Sequence, residues 1–268
     1  MTTMRMLLGL VRPDAGSIRL FGMDPQRDQI AARAGIAGII EEPRLYSYLS
    51  GRRNLQLLAS YDRAGTDARV IDEALELVEL KERGGDRVAE YSQGMRQRIG
   101  IAACLVRQPR LMLLDEPANG LDPAGIRFLR GLLRNLADGG MTVFLSSHLL
   151  AEVQELCERV AIISAGRIVH EGSLEDLRAR AGRRYRLSVG DPAQAISLCR
   201  AVPGIRDVTL VGEQIEFSVD DDDALLRVTR ALVEARLVIY ALMPEQLTLE
   251  RVFFELTEGG AAREEVAA

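Results

Sequence analysis

Lysine is almost absent from this sequence. Of its 34 basic residues, only Lys81 is a lysine, and all the others are arginine. We interpret this first as a genome-wide codon bias, since arginine replaces lysine throughout the chain. The scarcity still has one consequence for function, because any chemistry that requires a lysine ammonium must use Lys81 or proceed without one.

Cysteines are few and belong to no recognisable motif. The three of them, Cys104, Cys157 and Cys199, are odd in number and widely spaced. This pattern argues against a disulfide framework and against a cysteine metal site, and it suits a reducing cytosol.

The sequence also lacks a strong charge of one sign and long apolar runs. Its 34 basic and 39 acidic residues give a net charge of −5, which argues against nucleic acid as a partner. Uninterrupted apolar runs such as Ile36–Ile40 fall far short of the roughly 20 residues that a transmembrane helix requires. Residues 1–9 show no basic region followed by an apolar one, so we expect no signal peptide. We therefore expect a soluble intracellular chain.

Apolar residues make up 47% of the chain and occur in short runs that alternate with helical patterns. Continuous apolar runs bounded by turn residues are typical of parallel strands that are buried on both faces. A serine or aspartate before an amphipathic segment marks the start of a helix. Strands that alternate with helices predict an α/β fold.

These patterns place the elements in the first part of the chain. A short helical pattern ends at Leu7–Leu10. The predicted strands are Ser17–Phe21, Ile36–Ile40, Leu111–Leu114, Thr142–Ser146, Val160–Ser164 and Arg167–His170. The predicted helices are residues 52–61, 68–80, 93–107, 125–137 and 148–158, of which the first three have N-caps at Ser50, Asp67 and Ser92.

A basic, glycine-containing stretch at residues 178–183 marks a domain boundary. Beyond it the pattern starts again in the order β-α-β-β-α-β, which is that of the ferredoxin-like split unit. Its predicted elements are strand Tyr185–Val189, helix Ala193–Ala201, strands Asp207–Val211 and Gln214–Val219, helix Leu225–Ala235, strand Val238–Leu242 and a final helix Leu249–Leu256. We therefore predict two domains, residues 1–178 and residues 183–258. Asp220–Asp223 is interpreted as a solvated turn and N-cap, with a metal site as the alternative.

Four short motifs follow one another between residues 91 and 148. A hydroxyl residue and a glycine open a helix in Tyr91-Ser92-Gln93-Gly94, where free backbone N–H groups form an anion site. An apolar strand ends in Asp115-Glu116, which brings both carboxylates to the edge of the sheet where α/β folds bind ligands. Asn119-Gly120-Leu121-Asp122 follows, and Ser146-Ser147-His148 ends the next strand.

In order and spacing, these motifs resemble the signature sequence, Walker B, D-loop and H-loop of the nucleotide-binding subunit of an ABC transporter. The resemblance covers about residues 1–172 and implies a P-loop-NTPase-like domain that uses ATP and Mg²⁺. It implies that Asp115 holds Mg²⁺, that Glu116 orients or deprotonates the attacking water, and that His148 senses the γ-phosphate. The resemblance also implies that ATP bound on the opposite subunit of a head-to-tail dimer is contacted by Ser92, Gln93, Gly94 and Asp122.

One departure from the family lies at Glu41, where the family usually has a glutamine that touches Mg²⁺. The segment Ile39–Pro43 resembles the branch that serves peptide-antibiotic resistance and lantibiotic immunity, in which glutamate occupies this loop. A carboxylate is still a good Mg²⁺ ligand, so Glu41 is assigned to the metal. The alternative is a surface glutamate beside a turn. Tyr46, Tyr48 and Leu49 would face a membrane subunit, although a core role explains them equally well.

The second departure is the family's phosphate loop, Gly-x-x-x-x-Gly-Lys-[Ser/Thr], which these 268 residues do not contain. Aligned on Thr2–Leu10, the sequence begins one residue past the motif's lysine, and Thr2 and Thr3 are expected beside the nucleotide. The loop's N–H groups and lysine supply most contacts to the phosphates, so we expect these 268 residues taken alone to bind ATP weakly and to show negligible ATPase activity. Lys81, in a charged helix, cannot substitute. A missing strand would also leave a sheet edge exposed.

The leading hypothesis is the ATPase subunit of an ABC exporter for a peptide antibiotic, drug or lipid-like compound, in an N-terminally incomplete form. Its partners would be an ABC-2-type membrane permease, which holds it on the cytoplasmic face of the plasma membrane, and a second copy or a paralogous subunit. The alternative is a non-catalytic partner that donates signature and D-loop residues to a sister subunit's site. A further alternative makes the C-terminal unit a small-molecule sensor, by analogy of fold alone.

Overall fold

The computed structural model describes residues 2–61, 67–180 and 183–245. By packing, the chain divides into two compact units, Met1–Leu149 and Leu150–Ala268. The predicted domain limits, residues 1–178 and 183–258, stay a prediction. The predicted final helix Leu249–Leu256 lies outside the described residues.

The first unit is built on a parallel sheet in the order β1-β2-β3, formed by β1 (Ile36–Ile39), β2 (Leu111–Asp115) and β3 (Thr142–Ser146). In the described part of this unit, the helices are α1 (Thr2–Leu7), α2 (Gln29–Ala34), α3 (Gly51–Ser60), α4 (Ala68–Leu77), α5 (Gln93–Leu105) and α6 (Pro123–Asp138), with a 3₁₀ turn at Val88–Glu90. The central strand β2 is buried on both faces, as its continuous apolar run predicts. The α/β fold is therefore confirmed.

Short polar side chains start the helices where the sequence predicts them. Ser50 Oγ accepts a hydrogen bond from Arg53 N–H at 3.2 Å, and Ser92 Oγ accepts one from Met95 N–H at 3.2 Å. Asp67 caps α4 in the same way. Each cap satisfies a backbone N–H that the helix itself cannot pair, which confirms the three predicted N-caps.

The predicted strand Ser17–Phe21 is wrong. Here Leu20 and Met23 form an isolated bridge, in which each backbone N–H donates to the other's carbonyl, at 2.8 and 2.9 Å. Phe21 and Gly22 between them have φ values of +52° and +84°. Two successive residues in the left-handed region reverse the chain tightly, so the apolar alternation ends in a turn rather than continuing as a strand.

Helix α4 ends at Leu77, three residues before its predicted end at Leu80. Glu79 adopts φ +54°, and Leu80 N–H donates to Leu75 O at 2.8 Å. A left-handed residue followed by this reversed hydrogen bond is a Schellman-type ending, which stops a helix. Lys81 therefore lies in a turn beyond α4 rather than in a helix, and its ammonium pairs with Glu76 at 2.9 Å.

Strand β3 lies at one edge of the described three-stranded sheet, where it pairs with β2 on one side only. Its sequence is of the continuous apolar kind, yet Phe144 is 43% exposed. The carboxyl ends of β2 and β3 meet in register, with Asp115 opposite Ser146.

The second unit starts with a helix and an antiparallel hairpin and continues as a sheet with helices packed on it. Its described elements are α7 (Leu150–Leu156), β4 (Arg159–Ser164), β5 (Arg167–Ser173), α8 (Leu174–Arg180), β6 (Arg183–Val189), α9 (Pro192–Ala201), β7 (Ile205–Val211), β8 (Gln214–Val219), α10 (Asp222–Glu234) and β9 (Ile239–Glu245). Strands β6 to β9 form an antiparallel sheet in the order β7-β8-β6-β9. This order confirms the predicted ferredoxin-like split unit.

The core of that sheet lies between the strands and the two helices α9 and α10. Leu187 and Phe217 of the central strands are fully buried there, against Val228 and Leu232 of α10. On the preceding turn, Asp221 Oδ1 accepts a hydrogen bond from Ala224 N–H at 2.7 Å. This is the N-cap that the interpretation of Asp220–Asp223 predicts.

All three cysteines are free thiols. Burial raises the pKa of the Cys104 thiol to about 12 and that of the Cys199 thiol to about 11. Burial also raises the pKa of Cys157. Because the thiolate is the nucleophilic form, none of the three is activated at neutral pH. Within the described ranges, the helices are all too short or too polar to cross a bilayer.

Candidate functional site

The carboxyl edge of the parallel sheet holds two adjacent carboxylates. Asp115, the last residue of β2, is 2% exposed, and its Oδ1 accepts a hydrogen bond from Ser146 Oγ at 2.5 Å. Its other oxygen, Oδ2, is buried and has no hydrogen-bond partner among the residues that the structure describes. A buried carboxylate oxygen without a donor is costly unless a cation or another donor meets it.

Glu116 follows in a turn that departs from ordinary strand geometry. Its φ is +48°, a left-handed conformation that costs a side-chain-bearing residue roughly 1 kcal/mol. Its backbone N–H donates to two atoms of Ser146, the carbonyl oxygen at 3.2 Å and Oγ at 3.1 Å. These bonds fix the turn against the end of β3.

His148 reaches the Glu116 carboxylate from the segment that follows β3. Its Nδ1 lies 2.8 Å from Glu116 Oε2, and its backbone N–H donates to the same oxygen at 3.4 Å. The Glu116 side chain is 28% exposed and that of His148 is 64% exposed. The pair is therefore open to solvent, so a water molecule or a ligand can reach the carboxylate. A carboxylate held in this way can accept a proton from an attacking water.

The residues at this edge fit a divalent cation. The buried Asp115 Oδ2 is a hard oxygen ligand that lacks a donor among the described residues, and hard oxygen ligands are what Mg²⁺ prefers. When bound, the cation would neutralise charge on transferring phosphate oxygens.

Glu41 and the two threonines Thr2 and Thr3 are also predicted to lie near this site. Glu41, with φ +64°, pairs with Arg5 of α1, whose Nη2 lies 2.6 Å from Glu41 Oε1. Thr2 and Thr3 are exposed at the start of α1. The structure therefore brings Asp115, Glu116 and His148 together, while the described contact of Glu41 is an ion pair with the first helix.

The signature motif lies at the start of α5 and contacts the loop that leads to α6. Ser92 and Gln93 are exposed, and a side chain at Gly94 would meet only ordinary contacts, the nearest at 3.8 Å. The Gln93 amide packs against Gly120, which has φ +72°. A Cβ atom added at Gly120 would lie only 2.1 Å from Gln93 Nε2, so this close approach requires a glycine. Asp122 begins α6 by accepting a hydrogen bond from Gly125 N–H at 2.7 Å. The helix start expected to meet phosphate is thus open to solvent.

A buried asparagine holds the loop that follows Glu41. Asn54 Oδ1 accepts from Tyr46 N–H at 2.8 Å, and its Nδ2 donates to Tyr46 O and Ser50 O, both at 3.0 Å. The rings of Tyr46 and Tyr48 meet edge to face with centroids 5.8 Å apart. The two residues are 44% and 68% exposed, so they are not part of the core.

Sequence reasoning did not predict three contacts in this region, although Ser146 and Gln93 both belong to motifs that it singled out. Ser146 contacts the Asp115 carboxylate and the backbone N–H of Glu116, Arg5 pairs with Glu41, and the Gln93 amide covers Gly120. The parallel pairing of β2 and β3 could have indicated Ser146, because both strands end at the same edge. The other two depend on how loops fold back, for which the sequence carries no periodic signal.

Comparisons with known proteins give matches to both parts of the chain. The family model described as ABC transporter matches residues 1–119, and the model described as ATP-binding protein DrrA1-3-like, C-terminal domain, matches residues 172–257. The bacitracin transport ATP-binding protein BcrA of Enterococcus faecalis is 33% identical over 97% of this chain and 84% of its own length. The daunorubicin resistance ATP-binding protein DrrA3 of Streptomyces coeruleorubidus is 35% identical over 96% of this chain and 83% of its own length.

A solved structure, described as the ATP binding subunit of an ABC transporter, is similar in fold. It matches with a TM-score of 0.59 at 30% identity, over 67% of this chain and 76% of that chain. The matches to family and relatives extend across both units of the chain. The chain therefore belongs to the ATP-binding subunits of ABC transporters, in the branch that contains BcrA and DrrA3.

Proposed function

We propose that this protein hydrolyses ATP to energise an exporter whose substrate is a peptide antibiotic, a drug or a lipid-like compound. The observation that carries the proposal is the contact between Glu116 and His148 beside the buried carboxylate of Asp115. The names of BcrA and DrrA3, which specify bacitracin and daunorubicin, support the substrate class.

Each residue then has a chemical task. Asp115 Oδ2 would hold Mg²⁺. Glu116 accepts or orients the proton of the attacking water, and His148 holds the Glu116 carboxylate and stands where the terminal phosphate is expected. Ser92 and Gly94 would offer a hydroxyl and backbone N–H groups to the phosphates of ATP bound on a second subunit.

The proposed assembly is a head-to-tail pair of such subunits attached peripherally to a membrane permease. The exposed pair Tyr46 and Tyr48 supports this, because large aromatic side chains that stay out of the core are frequent at protein interfaces. The buried Asn54 fixes the backbone of Tyr46, which would hold the pair in place for a partner.

A substitution at Asp115 tests the function directly. Asp115→Asn removes the charge but keeps the side-chain shape, so we expect the Mg²⁺ concentration for half-maximal ATP hydrolysis to rise about 100-fold. The measurement is phosphate release by the protein purified with its permease, as Mg²⁺ is titrated. Glu73→Gln, on the exposed side of α4, is the matched control and should leave the titration unchanged. An unchanged titration in Asp115→Asn would refute the assigned role.

A substitution at Tyr48 tests the partner. Because Tyr48 is 68% exposed, Tyr48→Ser should leave the melting temperature within about 2 °C of the parent protein. It should nevertheless reduce copurification of the permease about tenfold if this ring is an interface anchor. Tyr61→Ser, at an equally exposed tyrosine (74%) after α3, serves as the control. Equal recovery of the permease with both variants would contradict the proposed interface.

A second candidate function is a non-catalytic subunit that completes the ATP site of a sister subunit. The observation that favours it is the ion pair of Glu41 with Arg5, which engages the carboxylate that the sequence assigns to Mg²⁺. In that case Ser92→Arg would abolish hydrolysis by a mixed dimer, whereas Glu116→Gln would leave it unchanged.

A further inference from the structure

The hydroxyl of Ser146 contacts both Asp115 and Glu116, the two acidic residues at the carboxyl edge of the parallel sheet. It donates to Asp115 Oδ1 at 2.5 Å and accepts from the backbone N–H of Glu116 at 3.1 Å. The carbonyl of the same residue accepts from that N–H at 3.2 Å. The hydroxyl thus donates one hydrogen bond and accepts one, and the two together restrict its rotamer.

The first contact distinguishes the two oxygens of Asp115. Oδ1 is engaged by the Ser146 hydroxyl, whereas the buried Oδ2 has no partner among the described residues. A carboxylate with one oxygen hydrogen-bonded cannot rotate freely, so its second oxygen keeps a fixed direction. Outer-shell hydrogen bonds of this kind orient the ligands of metal sites.

The second contact acts on Glu116. Its left-handed φ of +48° is strained for a residue with a side chain, and the bonds from its N–H to Ser146 oppose relaxation of that strain. The direction of the Glu116 side chain, and with it the 2.8 Å contact to His148, therefore depends on Ser146.

From these contacts we infer that Ser146 is a positioning residue, which makes Asp115 Oδ2 the cation-binding oxygen and holds Glu116 towards His148. The inference rests on the proposed function for the identity of the cation and nucleotide. In this role Ser146 acts through Asp115 and Glu116, the two residues that it contacts.

Two variants and one control separate this role from a general structural one. Ser146→Ala removes the hydroxyl. Ser146→Thr keeps the hydroxyl and adds a methyl group, which we expect to be tolerated because Ser146 is only partly buried. Ser147→Ala is the matched control, because the described contact of Ser147 Oγ is local, with Leu149 N–H at 3.0 Å. All three are made in the full-length protein purified with its permease.

The measurement is Mn²⁺ binding, followed by electron paramagnetic resonance with a non-hydrolysable ATP analogue present. We expect Ser146→Ala to weaken Mn²⁺ binding about tenfold and to lower kcat with little change in KM for ATP. Ser146→Thr should bind within about twofold of the parent protein, and Ser147→Ala should match the parent.

The outcomes distinguish this inference from the proposed function. Parent-like Mn²⁺ binding in Ser146→Ala, or weakening in Ser146→Thr as large as in Ser146→Ala, would overturn the positioning role. Absence of Mn²⁺ binding to the parent protein would overturn it as well. A parent that binds Mn²⁺ through this arrangement but hydrolyses no ATP would leave the positioning role standing and refute the proposed function.

Discussion

Replacing Glu116 with glutamine is expected to lower ATP hydrolysis by the protein and its permease about 1,000-fold, within the roughly 100- to 10,000-fold range of general base catalysis. Glutamine has almost the same shape and its amide oxygen can still accept the hydrogen bond from His148 Nδ1. It is neutral, however, and cannot take a proton from water. ATP binding should therefore persist while the chemical step stops.

Two measurements on the same preparation separate binding from chemistry. Phosphate release gives the rate, and retention of labelled ATP gives the binding. Glu73→Gln, the exposed glutamate substitution on α4, should behave as the parent protein in both. Hydrolysis by Glu116→Gln at more than about one tenth of the parent rate would exclude Glu116 as the general base.

Replacing Ser92 with arginine is expected to reduce hydrolysis by a similar factor, about 1,000-fold, for a different reason. Ser92 is exposed at the start of α5, where the proposal places the phosphates of ATP from a second subunit. A long side chain there would occupy the open space beside Gly94 and block the phosphate contacts at both shared sites of the dimer. With both sites blocked, the ATP-dependent dimer should be lost along with hydrolysis, as measured by light scattering, whereas a dimer that carries the change at one site keeps the other site.

The control for this change must account for the helix cap that it removes. The Ser92 hydroxyl caps α5 at 3.2 Å, and such a cap stabilises a protein by about 1 kcal/mol. Ser50 caps α3 with the same geometry, also at 3.2 Å, so Ser50→Arg loses an equivalent bond. If Ser50→Arg also abolished hydrolysis, the loss in Ser92→Arg would reflect stability rather than contact with nucleotide.

Much of the fold can be predicted from interactions between residues that are close together in the sequence. The continuous apolar run that became β2 and the serines that cap α3 and α5 depend on interactions within a few residues, so the sequence pattern is sufficient. Helix α2 (Gln29–Ala34) is not predicted because its six residues are too few to show a helical period, and in the structure its N-cap residue Asp28 makes no capping hydrogen bond. The false strand Ser17–Phe21 arose because apolar alternation does not indicate left-handed turns such as that at Phe21.

The site was predictable where it depends on strand ends and less so where it depends on loops. Asp115 and Glu116 could be placed at the sheet edge because they directly follow a buried strand. The ion pair of Glu41 with Arg5 joins residues 36 positions apart through a turn whose direction only the folded chain determines. The same holds for the Gln93 amide on Gly120, since no propensity specifies which loop a polar side chain will cover.

The central claim is that two copies of this chain share their ATP sites, with Asp115, Glu116 and His148 from one copy and Ser92 and Gly94 from the other. The most direct test mixes Glu116→Gln subunits with Ser92→Arg subunits, each inactive by itself. In a mixed dimer one shared site would carry both changes and the other would carry neither. We predict that equal mixing, followed by assembly with the permease, restores about one quarter of the parent rate of ATP hydrolysis, because half of the dimers then have one intact site. A mixture as inactive as either variant alone would contradict the shared site.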